Sequence, residues 1–361
     1  MDTDAKIYVA GHRGLVGSAI IKILKKKGYN NLVTRTHAEL DLTNTFEVAT
    51  FFENESPEYV FLAAAKVGGI VANNSYRGEF IYDNLMIQNN VIHQSYVTGV
   101  KKLMFLGSTC IYPKNCPQPM QEDYLLTDTL EYTNEPYAIA KIAGIKLCES
   151  YNIQYGTNFI SVMPTNLYGP NDNFDLEKSH VLPALIRKIH LGKALENDDW
   201  QTISKDLDRL PIEGVTGSSD KTQILKIFEK YGIQESGNTV SVEIWGSGKP
   251  MREFLWSEDM ADACVFLMEN RDFKDTYTSE SKEIRNTHIN IGTGTDITIA
   301  DLAAMIKKQI GFKGSFQFNT DKPDGTMKKL TDVDKLNRLG WKHNITLEEG
   351  IQKQYEWYSR L

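Results

Sequence analysis

The chain has 361 residues, of which 41% are hydrophobic and 24% charged. This balance excludes collagen-like, low-complexity and largely disordered proteins, and the length suggests about two domains. The 40 lysines and arginines against 47 aspartates and glutamates give a formal net charge of −7, so the chain as a whole lacks the basic surface of a nucleic-acid-binding protein. Its apolar runs all fall short of the roughly 20 residues of a membrane span.

The start of the chain and its cysteines bear on its location. The first six residues are polar and lead directly into a predicted strand, so they do not resemble a signal peptide. Cys110, Cys116, Cys148 and Cys264 show no Cys-x-x-Cys spacing and are too few for a disulfide scaffold. We therefore expect a cytoplasmic protein without a metal site, in which Cys116, Cys148 and Cys264 are structural.

Short β-rich runs alternate with helical patterns through the first 170 residues. The predicted strands cover residues 7–10, 31–34, 59–62, 103–106 and 159–162, and the predicted helices cover residues 16–27, 45–54, 84–97 and 138–155. Strands that are apolar throughout and separated by helices belong to parallel sheets covered on both faces. The pattern therefore predicts an α/β fold with a Rossmann-type, doubly wound parallel sheet.

The pattern changes after residue 170. The later predicted elements are helices over residues 182–191, 224–231, 257–270, 299–310 and 347–360 and strands over 240–245 and 288–291. We predict a smaller α/β substrate domain from residues 171–253 and 296–361, with the chain returning to the first domain over 254–295. The acidic segment 196–238 is a lid, an oligomer contact or a surface insertion, and the last is the default because long loops cost little closure entropy.

A glycine-rich turn follows the first predicted strand and leads into the first predicted helix. It reads Gly11-His12-Arg13-Gly14-Leu15-Val16-Gly17. Glycine at these spacings lets the backbone turn tightly and approach a pyrophosphate, which binds at the positive N-terminal end of the helix. Turn-forming glycines alone are a weak signal, but this position in a β-α-β pattern predicts dinucleotide binding. We therefore assign residues 1–170 to a dinucleotide-binding domain.

The end of the second predicted strand indicates which dinucleotide is bound. Sites that prefer NAD usually have an acidic residue here, which binds the 2′-hydroxyl of the ribose. This strand instead ends in a Thr-Arg-Thr-His sequence that includes Arg35 and His37, and Arg13 lies in the glycine-rich turn. Cations in both places favour the 2′-phosphate of NADP(H); the alternative is that Arg35 is an ordinary surface charge. Asp41 and Leu42 follow where adenine contacts are expected.

Three further residues form a pattern with acid–base chemistry. Ser108 follows the fourth predicted strand, and Tyr137 and Lys141 are four residues apart on one face of a predicted helix. A phenol ordinarily titrates near ~10, so it needs a neighbouring cation to act near neutral pH, and the ammonium is placed to supply that field. Ser108 can donate to the substrate oxygen whose proton Tyr137 handles.

These motifs resemble the extended short-chain dehydrogenase/reductase family. The resemblance covers nearly the whole chain outside residues 196–238 and includes residues 63–70, 84–86, 107–113, 134–141, 163–170, 245–248, 251–254 and 322–325. Within the family, the motifs are most similar to those of the 3,5-epimerase-4-reductases that act on GDP-4-keto-6-deoxy-D-mannose. The resemblance implies a small-molecule GDP-sugar substrate, epimerisation at C3 and C5, and reduction of the C4 ketone with NADP(H).

The resemblance also implies roles for individual residues. Cys110 matches the family's base and His180 its acid; their structural alternatives are a small core cysteine and a hydrogen-bonding residue at a helix start. Besides the glycine-rich turn, the implied cofactor contacts are Arg35, His37, Asp41, Leu42, Ala63, Ala65, Leu106, Gly107, Lys141, Pro164, Asn166, Leu167 and His180. The implied substrate contacts are Lys188, Trp245, Arg252 and Asp324.

Two of these substrate assignments have structural alternatives. The alternative for Trp245 is a buried position in the core, and the alternative for Arg187 and Lys188 is a solvent-exposed helix face.

A guanidinium at Arg252 suits a diphosphate because its donors bind oxygens in pairs. Where bacterial members have a second arginine for the 2′-phosphate, this chain has His37, which Arg35 compensates if NADP(H) is the cofactor.

Three alternative functions fit these residues less well. A nucleotide-sugar 4-epimerase would hold NAD and would not need Cys110 or His180. A 4,6-dehydratase would have an acidic pair directly after Thr109, where this chain has Cys110-Ile111. A non-catalytic dinucleotide-binding sensor or scaffold would not need Ser108 with Tyr137 and Lys141.

The third predicted helix, residues 84–97, also suggests an oligomer. Its apolar stripe consists of Leu85, Met86, Val91, Ile92 and Tyr96. In the family, this helix and the Tyr137 helix form a dimer through a four-helix bundle, so we expect a homodimer. Burial of the stripe within the monomer is the alternative.

Overall fold

A computed structural model describes residues 1–237, 239–278, 282–322 and 324–361. Asn238 of the acidic segment and Pro323 of one family motif lie outside the described residues, as do the side chains of Ile70 and Val71. The chain divides into two compact units. The first comprises Met1–Asn171, Glu253–Thr295 and Leu330–Ile345, and the second comprises Asp172–Arg252, Asp296–Lys329 and Thr346–Leu361.

Strands and helices alternate along the chain. The strands are β1 (Ile7–Ala10), β2 (Leu32–Val33), β3 (Tyr59–Leu62), β4 (Lys102–Leu106), β5 (Phe159–Pro164), β6 (Asn166–Tyr168), β7 (Ile233–Ser236), β8 (Thr239–Trp245), β9 (Met251–Trp256), β10 (Ile289–Ile291), β11 (Asp296–Thr298), β12 (Ser315–Asn319) and β13 (Lys328–Lys329). The helices are α1 (Leu15–Lys26), α2 (Thr45–Glu55), α3 (Ile70–Ser75), α4 (Arg77–Val97), α5 (Glu135–Tyr155), α6 (Val181–Glu196), α7 (Trp200–Arg209), α8 (Lys221–Lys230), α9 (Ser257–Asn270), α10 (Ile299–Ile310), α11 (Asp334–Arg338) and α12 (Leu347–Arg360).

The first unit is built on a six-stranded sheet with the strand order β10-β5-β4-β3-β1-β2. All neighbouring strands in it are parallel. Alternate residues of each strand enter different cores: Ile7 and Val9 pack with α1 and α9, whereas Tyr8 and Ala10 pack with α2, α4 and α5. Burial on both faces explains why these strands are apolar throughout, and the predicted doubly wound α/β fold is confirmed.

Residues 330–345 belong to the first unit, although we predicted them in the second domain. The reason is packing: Leu336, Leu339 and Trp341 are buried in the same core as α1 and α9. The Trp341 indole also donates to Asp262 of α9 at 2.8 Å. No local pattern in the sequence distinguishes this short helical stretch from a loop of the second unit.

The second unit contains a three-stranded sheet with the order β12-β8-β7. β12 runs parallel to β8, and β7 runs antiparallel to it. The acidic segment is more structured than predicted. It forms α7 as well as α8, and it buries Ile203 and Leu207 of α7 and Phe228 of α8.

Within the described residues, no helix is long and apolar enough to cross a membrane. Nor do the described residues contain a group of three or more His, Cys, Asp or Glu side chains that could hold a metal ion.

A completely buried carboxylate joins three segments of the first unit. Glu253 in β9 accepts from the backbone N–H groups of Thr293 (2.6 Å) and Gly294 (2.7 Å) through one oxygen. Its other oxygen accepts from the N–H (2.9 Å) and hydroxyl (2.6 Å) of Thr331. Its backbone carbonyl accepts from the Asn166 amide at 2.8 Å. These bonds compensate for removing the charge from water.

We expect Glu253→Gln to lower the free energy of unfolding by about 2–4 kcal/mol, because the amide would turn an N–H₂ towards donors. Urea unfolding followed by circular dichroism measures the change. Glu53→Gln, on the exposed face of α2, is the matched control and should stay within about 0.5 kcal/mol. Equal stability of the two variants would contradict this account of Glu253.

Candidate active site

The glycine-rich turn packs too closely against the backbone for side chains. Gly11 has φ +83°, and a Cβ built on it would lie 2.7 Å from the nitrogen of Ala64. A Cβ on Gly17 would lie 2.1 Å from the carbonyl oxygen of Gly11. The turn is closed by a bond from the N–H of Gly14 to the same oxygen, at 3.1 Å. Only glycine allows this approach of α1 to the end of β1.

The N-terminus of α1 presents unpaired hydrogen-bonding groups. Gly14 occupies the N-cap and has no side chain with which to bond the first N–H groups of the helix. The buried Nδ1 of His12 makes no hydrogen bond within the described part of the chain. Orphan donors together with the positive helix end suit a pyrophosphate, and the exposed Arg13 adds a positive charge beside them. Leu15 and Val16 begin the helix and are partly buried.

The end of β2 has both cations and carboxylates. Arg35 forms an ion pair with Glu55 of α2, and its guanidinium lies 5.4 Å from the centre of the Phe51 ring. The pKa of Glu39 is lowered, chiefly by hydrogen bonds from Thr36, and Arg35 and Arg13 add to the effect. The 2′-phosphate of NADP(H) would thus compete with the Glu55 carboxylate for Arg35.

The next predicted contacts follow β2 and β3. His37 is exposed, and its Nδ1 lies 3.9 Å from the carboxylate of Asp41. Asp41 accepts from the N–H (2.9 Å) and hydroxyl (2.8 Å) of Thr43, which lowers its pKa. The carbonyl of Leu42 accepts from Asn90 of α4 at 2.9 Å.

Two alanines that follow β3 are partly exposed. The N–H of Ala63 donates to the carbonyl of Ala10 at 3.1 Å, which extends the pairing of β3 with β1. Ala65 follows two residues later, in the same loop. Their small side chains leave the carboxyl ends of these strands open, where ligands bind in sheets of this type.

A buried lysine joins α5 to the end of β4. The Lys141 ammonium donates to the carbonyl of Leu106 at 2.9 Å and lies 5.6 Å from the centre of the Tyr137 ring. Burial lowers the pKa of Lys141 to about 8, and the nearby Cys110 opposes the shift. Burial also raises the pKa of Tyr137, and Cys110 adds to it. The lowering of the Tyr137 pKa that was expected from Lys141 is therefore not seen, and the phenol is protonated at neutral pH, as a proton donor requires.

Cys110 lies in a 3₁₀ turn, Thr109–Ile111, that follows β4, and Ser108 is the N-cap residue of this turn. The Ser108 hydroxyl accepts from the N–H of Cys110 at 3.4 Å. Gly107 is fixed by its N–H, which donates to Val162 of β5 at 2.8 Å. A Cβ on Gly107 would lie 2.3 Å from the end of the Met163 side chain, so a larger residue here would have to displace that side chain. Cys110 is partly exposed, unlike the buried Cys148 and Cys264.

Three predicted cofactor contacts lie around the end of β5. Pro164 ends that strand and is partly buried. Asn166 and Leu167 belong to β6, which pairs with β9 opposite Phe254 and Leu255. The exposed Asn166 side chain is fixed through its bond to Glu253.

The remaining predicted acid, His180, belongs to the second unit. It occupies the N-cap of α6 and is exposed. The protein around the ring nevertheless lowers the pKa of its imidazole by desolvation. Its hydroxyl-bearing neighbour Ser179 has an oxygen that makes no hydrogen bond within the described part of the chain.

The predicted substrate residues also lie in the second unit. Trp245 ends β8 with 64% of its surface exposed, so a core tryptophan is excluded. The Lys322 ammonium, which the sequence reading did not single out, lies 5.3 Å from the centre of that ring. Arg252 in β9 donates to the carbonyls of Met251 (2.7 Å) and Thr326 (2.6 Å), and burial lowers its pKa.

Asp324 and Lys188 are held by neighbouring polar groups. The Asp324 carboxylate accepts from the N–H (2.8 Å) and hydroxyl (2.7 Å) of Ser247, which lowers its pKa. The Lys188 ammonium donates to the carbonyl of Glu243 at 2.6 Å, and burial lowers its pKa to about 8. Its neighbour Arg187 is only 1% exposed, so α6 does not present these two residues as a solvated face. Ser247 lies within the family motif at residues 245–248, but only its hydrogen bonds to Asp324 reveal its role in holding that carboxylate.

We expect Gly17→Ala to weaken NADPH binding by roughly tenfold or more, because its Cβ would force α1 away from Gly11. Titration of the nicotinamide fluorescence measures the affinity. Gly78→Ala near the start of α4 is the control, because its Cβ meets no described atom within 4 Å. Unchanged affinity in the Gly17 variant would contradict the assignment of this turn.

Comparisons with known proteins identify relatives of this chain. The family model described as the NAD dependent epimerase/dehydratase family matches residues 7–206 and 215–292. A GDP-L-fucose synthase of Arabidopsis thaliana is 50% identical over 99% of this chain and 94% of its own length. The GDP-L-fucose synthase of Escherichia coli is 48% identical over 98% of this chain and 96% of its own length.

Two solved structures are also similar to this chain in fold and in sequence. A GDP-6-OMe-4-keto-L-xylo-heptose reductase from C. jejuni superimposes with a TM-score of 0.92 at 49% identity, covering 100% of this chain and 99% of that one. A GDP-mannoheptose C4 reductase from Campylobacter jejuni with NADP bound gives 0.87 at 48% identity and 99% coverage of both chains. The chain therefore belongs to the NAD-dependent epimerase/dehydratase family, within the extended short-chain dehydrogenase/reductases.

Proposed function

We propose that the chain converts GDP-4-keto-6-deoxy-D-mannose to GDP-L-fucose, by epimerising C3 and C5 and then reducing the C4 ketone with NADPH. The observation that carries this proposal is the grouping of Ser108, Cys110, Tyr137 and Lys141 at the end of β4, with the bonds and pKa shifts described above. Near half identity to GDP-L-fucose synthases over almost the full length supports the substrate.

NADP(H) fits the first unit. The close packing of α1 on the end of β1 that Gly17 allows, together with the orphan Nδ1 of His12, favours a pyrophosphate at the start of α1. Arg13 and Arg35 would hold the 2′-phosphate, and Lys141 would contact the ribose. NADPH, when bound, supplies the hydride for the reduction. The C. jejuni reductase with NADP bound supports this choice of cofactor.

Epimerisation depends on the acidity of the two carbons next to the C4 ketone. Ser108 and Tyr137 donate hydrogen bonds to the C4 oxygen and so stabilise the enolate that forms when a proton leaves C3 or C5. Cys110 as thiolate takes the proton, and His180 supplies one to the opposite face of the ring. The two transfers invert the carbon without changing its oxidation state. Each positioned group contributes about 10²–10⁴-fold.

Reduction uses the same C4 oxygen. As the carbonyl carbon accepts hydride, its oxygen gains negative charge, and Tyr137 transfers its proton there. The raised pKa of Tyr137 keeps that proton available at neutral pH. The positive charge of Lys141 stabilises the phenolate that remains, and the bond to Leu106 holds the ammonium in place.

In the second unit, Lys188, Trp245, Arg252 and Asp324 bind the GDP-sugar. The two cations face diphosphate oxygens, and the exposed Trp245 ring offers a flat face to the nucleotide.

The second candidate function is reduction of a GDP-4-keto-heptose, which the similarity to the two C. jejuni reductases favours. A higher kcat/KM for the heptose than for the deoxyhexose would favour that candidate.

We propose a homodimer formed through α4 and α5. Val91 and Ile92 of the predicted stripe are completely buried in the core of the first unit, so they do not contribute. Tyr82, Val97 and Ile153 are more than half exposed and offer apolar surface on the same two helices. Light scattering at micromolar concentration should give the mass of two chains, and a monomer mass would contradict this proposal.

Two variants should distinguish proton exchange at C3 and C5 from reduction of the C4 ketone. We expect Cys110→Ser to abolish deuterium incorporation at C3 and C5 in heavy water while retaining NADPH binding. Tyr137→Phe should slow NADPH oxidation by about 10²–10⁴-fold. Mass spectrometry of the sugar and the nicotinamide absorbance are the two measurements, and Cys148→Ser is the buried-cysteine control. Full exchange in the Cys110 variant would contradict its role as the base.

GDP affinity should fall as the pH rises above about 8, the pKa of Lys188. An anionic diphosphate binds the charged ammonium, so deprotonation weakens binding, by at most about tenfold per pH unit. Calorimetry with GDP between pH 7 and pH 9 measures this effect. Lys188→Arg keeps its charge and should show a flatter profile, which also controls for titration of the guanine. Parallel profiles would contradict the role of Lys188.

A further inference from the structure

The acidic segment is connected to two consecutive residues of α6, directly to Arg187 and through Glu243 to Lys188. The first is Arg187, whose Nε donates to Asp206 of α7 at 3.0 Å. The same guanidinium donates to the carbonyls of Phe174, at 3.2 Å, and Leu210. Asp206 is 3% exposed and also accepts from the Tyr358 hydroxyl. A buried pair with this many partners is expensive to rearrange, so α7 fixes α6 at this residue.

The second contact involves Lys188. Its ammonium donates to the carbonyl of Glu243 in β8, at 2.6 Å. The N–H of Glu243 in turn donates to the carbonyl of Gly232, at 2.6 Å, where the segment leaves α8 and enters β7. Gly232 has φ +77°, and a Cβ built on it would lie 2.5 Å from the Glu243 Cβ and 3.3 Å from the Lys188 Nζ. The bare glycine therefore leaves just enough room for the lysine side chain.

We propose that residues 196–238 are a positioning element for Lys188: Asp206 fixes the helix that bears it, and Gly232 with β7 fixes the carbonyl to which its ammonium is bonded. This inference rests on the proposed function, in which Lys188 binds the diphosphate of the substrate. The segment is thus neither a lid nor a neutral surface insertion.

The benefit of such positioning is entropic. A lysine side chain is long and flexible, and binding a ligand through it ordinarily costs rotamer freedom. The bond to Glu243 restricts the chain beforehand, and an ammonium with three donors retains two for phosphate oxygens. Preorganisation of this kind increases affinity without adding a contact. The segment should therefore affect the binding of GDP and not the chemistry at the sugar.

The test measures GDP binding by calorimetry with the full chain. We expect Gly232→Ala to weaken GDP binding about tenfold, because its Cβ displaces Glu243 and Lys188. Gly214→Ala is the matched control: Gly214 lies in the same segment and has φ +82°, but its Cβ meets no described atom within 4 Å. The control should change GDP affinity less than twofold. NADPH affinity and kcat at saturating substrate should stay constant in both variants.

A double-mutant cycle distinguishes positioning from a general loss of structure. If Gly232 acts through Lys188, Gly232→Ala should have no further effect on GDP affinity in the Lys188→Met background. Additive effects, or equal effects of the Gly232 and Gly214 variants, would overturn the inference. Should Gly232→Ala not fold, Asp206→Asn is the second variant, with GDP affinity expected to fall severalfold and NADPH affinity unchanged. If the parent chain does not bind GDP, the proposed function fails instead.

Discussion

The hydrogen bond from the buried Lys141 ammonium to the carbonyl of Leu106, at 2.9 Å, is the interaction on which the proposed chemistry depends. It joins α5 to the carboxyl end of β4, so Tyr137 faces the turn that bears Ser108 and Cys110. A buried cation is costly unless it is paired, and here a main-chain carbonyl supplies the pairing without neutralising the charge. The same cation is therefore available to stabilise a phenolate during proton transfer.

The fold supports this interaction by bringing several chain segments to one sheet edge. The glycine turn after β1, the alanines after β3, and Gly107 after β4 all lie at the carboxyl ends of parallel strands, where ligands bind in doubly wound sheets. The close approaches to backbone at Gly11 and Gly17 show that glycine is required at those two positions. Glu253 then ties β9 and residue 331 to the same region through its buried carboxylate.

The sequence predicted those parts of the molecule that local pattern determines. The apolar strands, the glycine turn, and the four-residue spacing of Tyr137 and Lys141 are local features, and the doubly wound fold followed from them. Long-range pairing was not predictable. α7 has local signals that the prediction overlooked, an N-cap at Asp199 and apolar residues at Ile203 and Leu207. The burial of Asp206, in contrast, depends on Arg187 from another helix and is not marked in the local sequence. Val91 and Ile92 show the same limit, because apolar spacing does not distinguish a core face from an oligomer face.

In the proposed function, one site epimerises and then reduces the same sugar. This function is tested most directly by incubating the parent enzyme with GDP-4-keto-6-deoxy-D-mannose and NADPH in heavy water, and by examining the sugar with mass spectrometry and NMR. We expect stoichiometric NADPH oxidation and a GDP-L-fucose product with one deuterium at C3 and one at C5. NADPH oxidation without deuterium at either carbon, as expected of a simple C4 reductase, would contradict it.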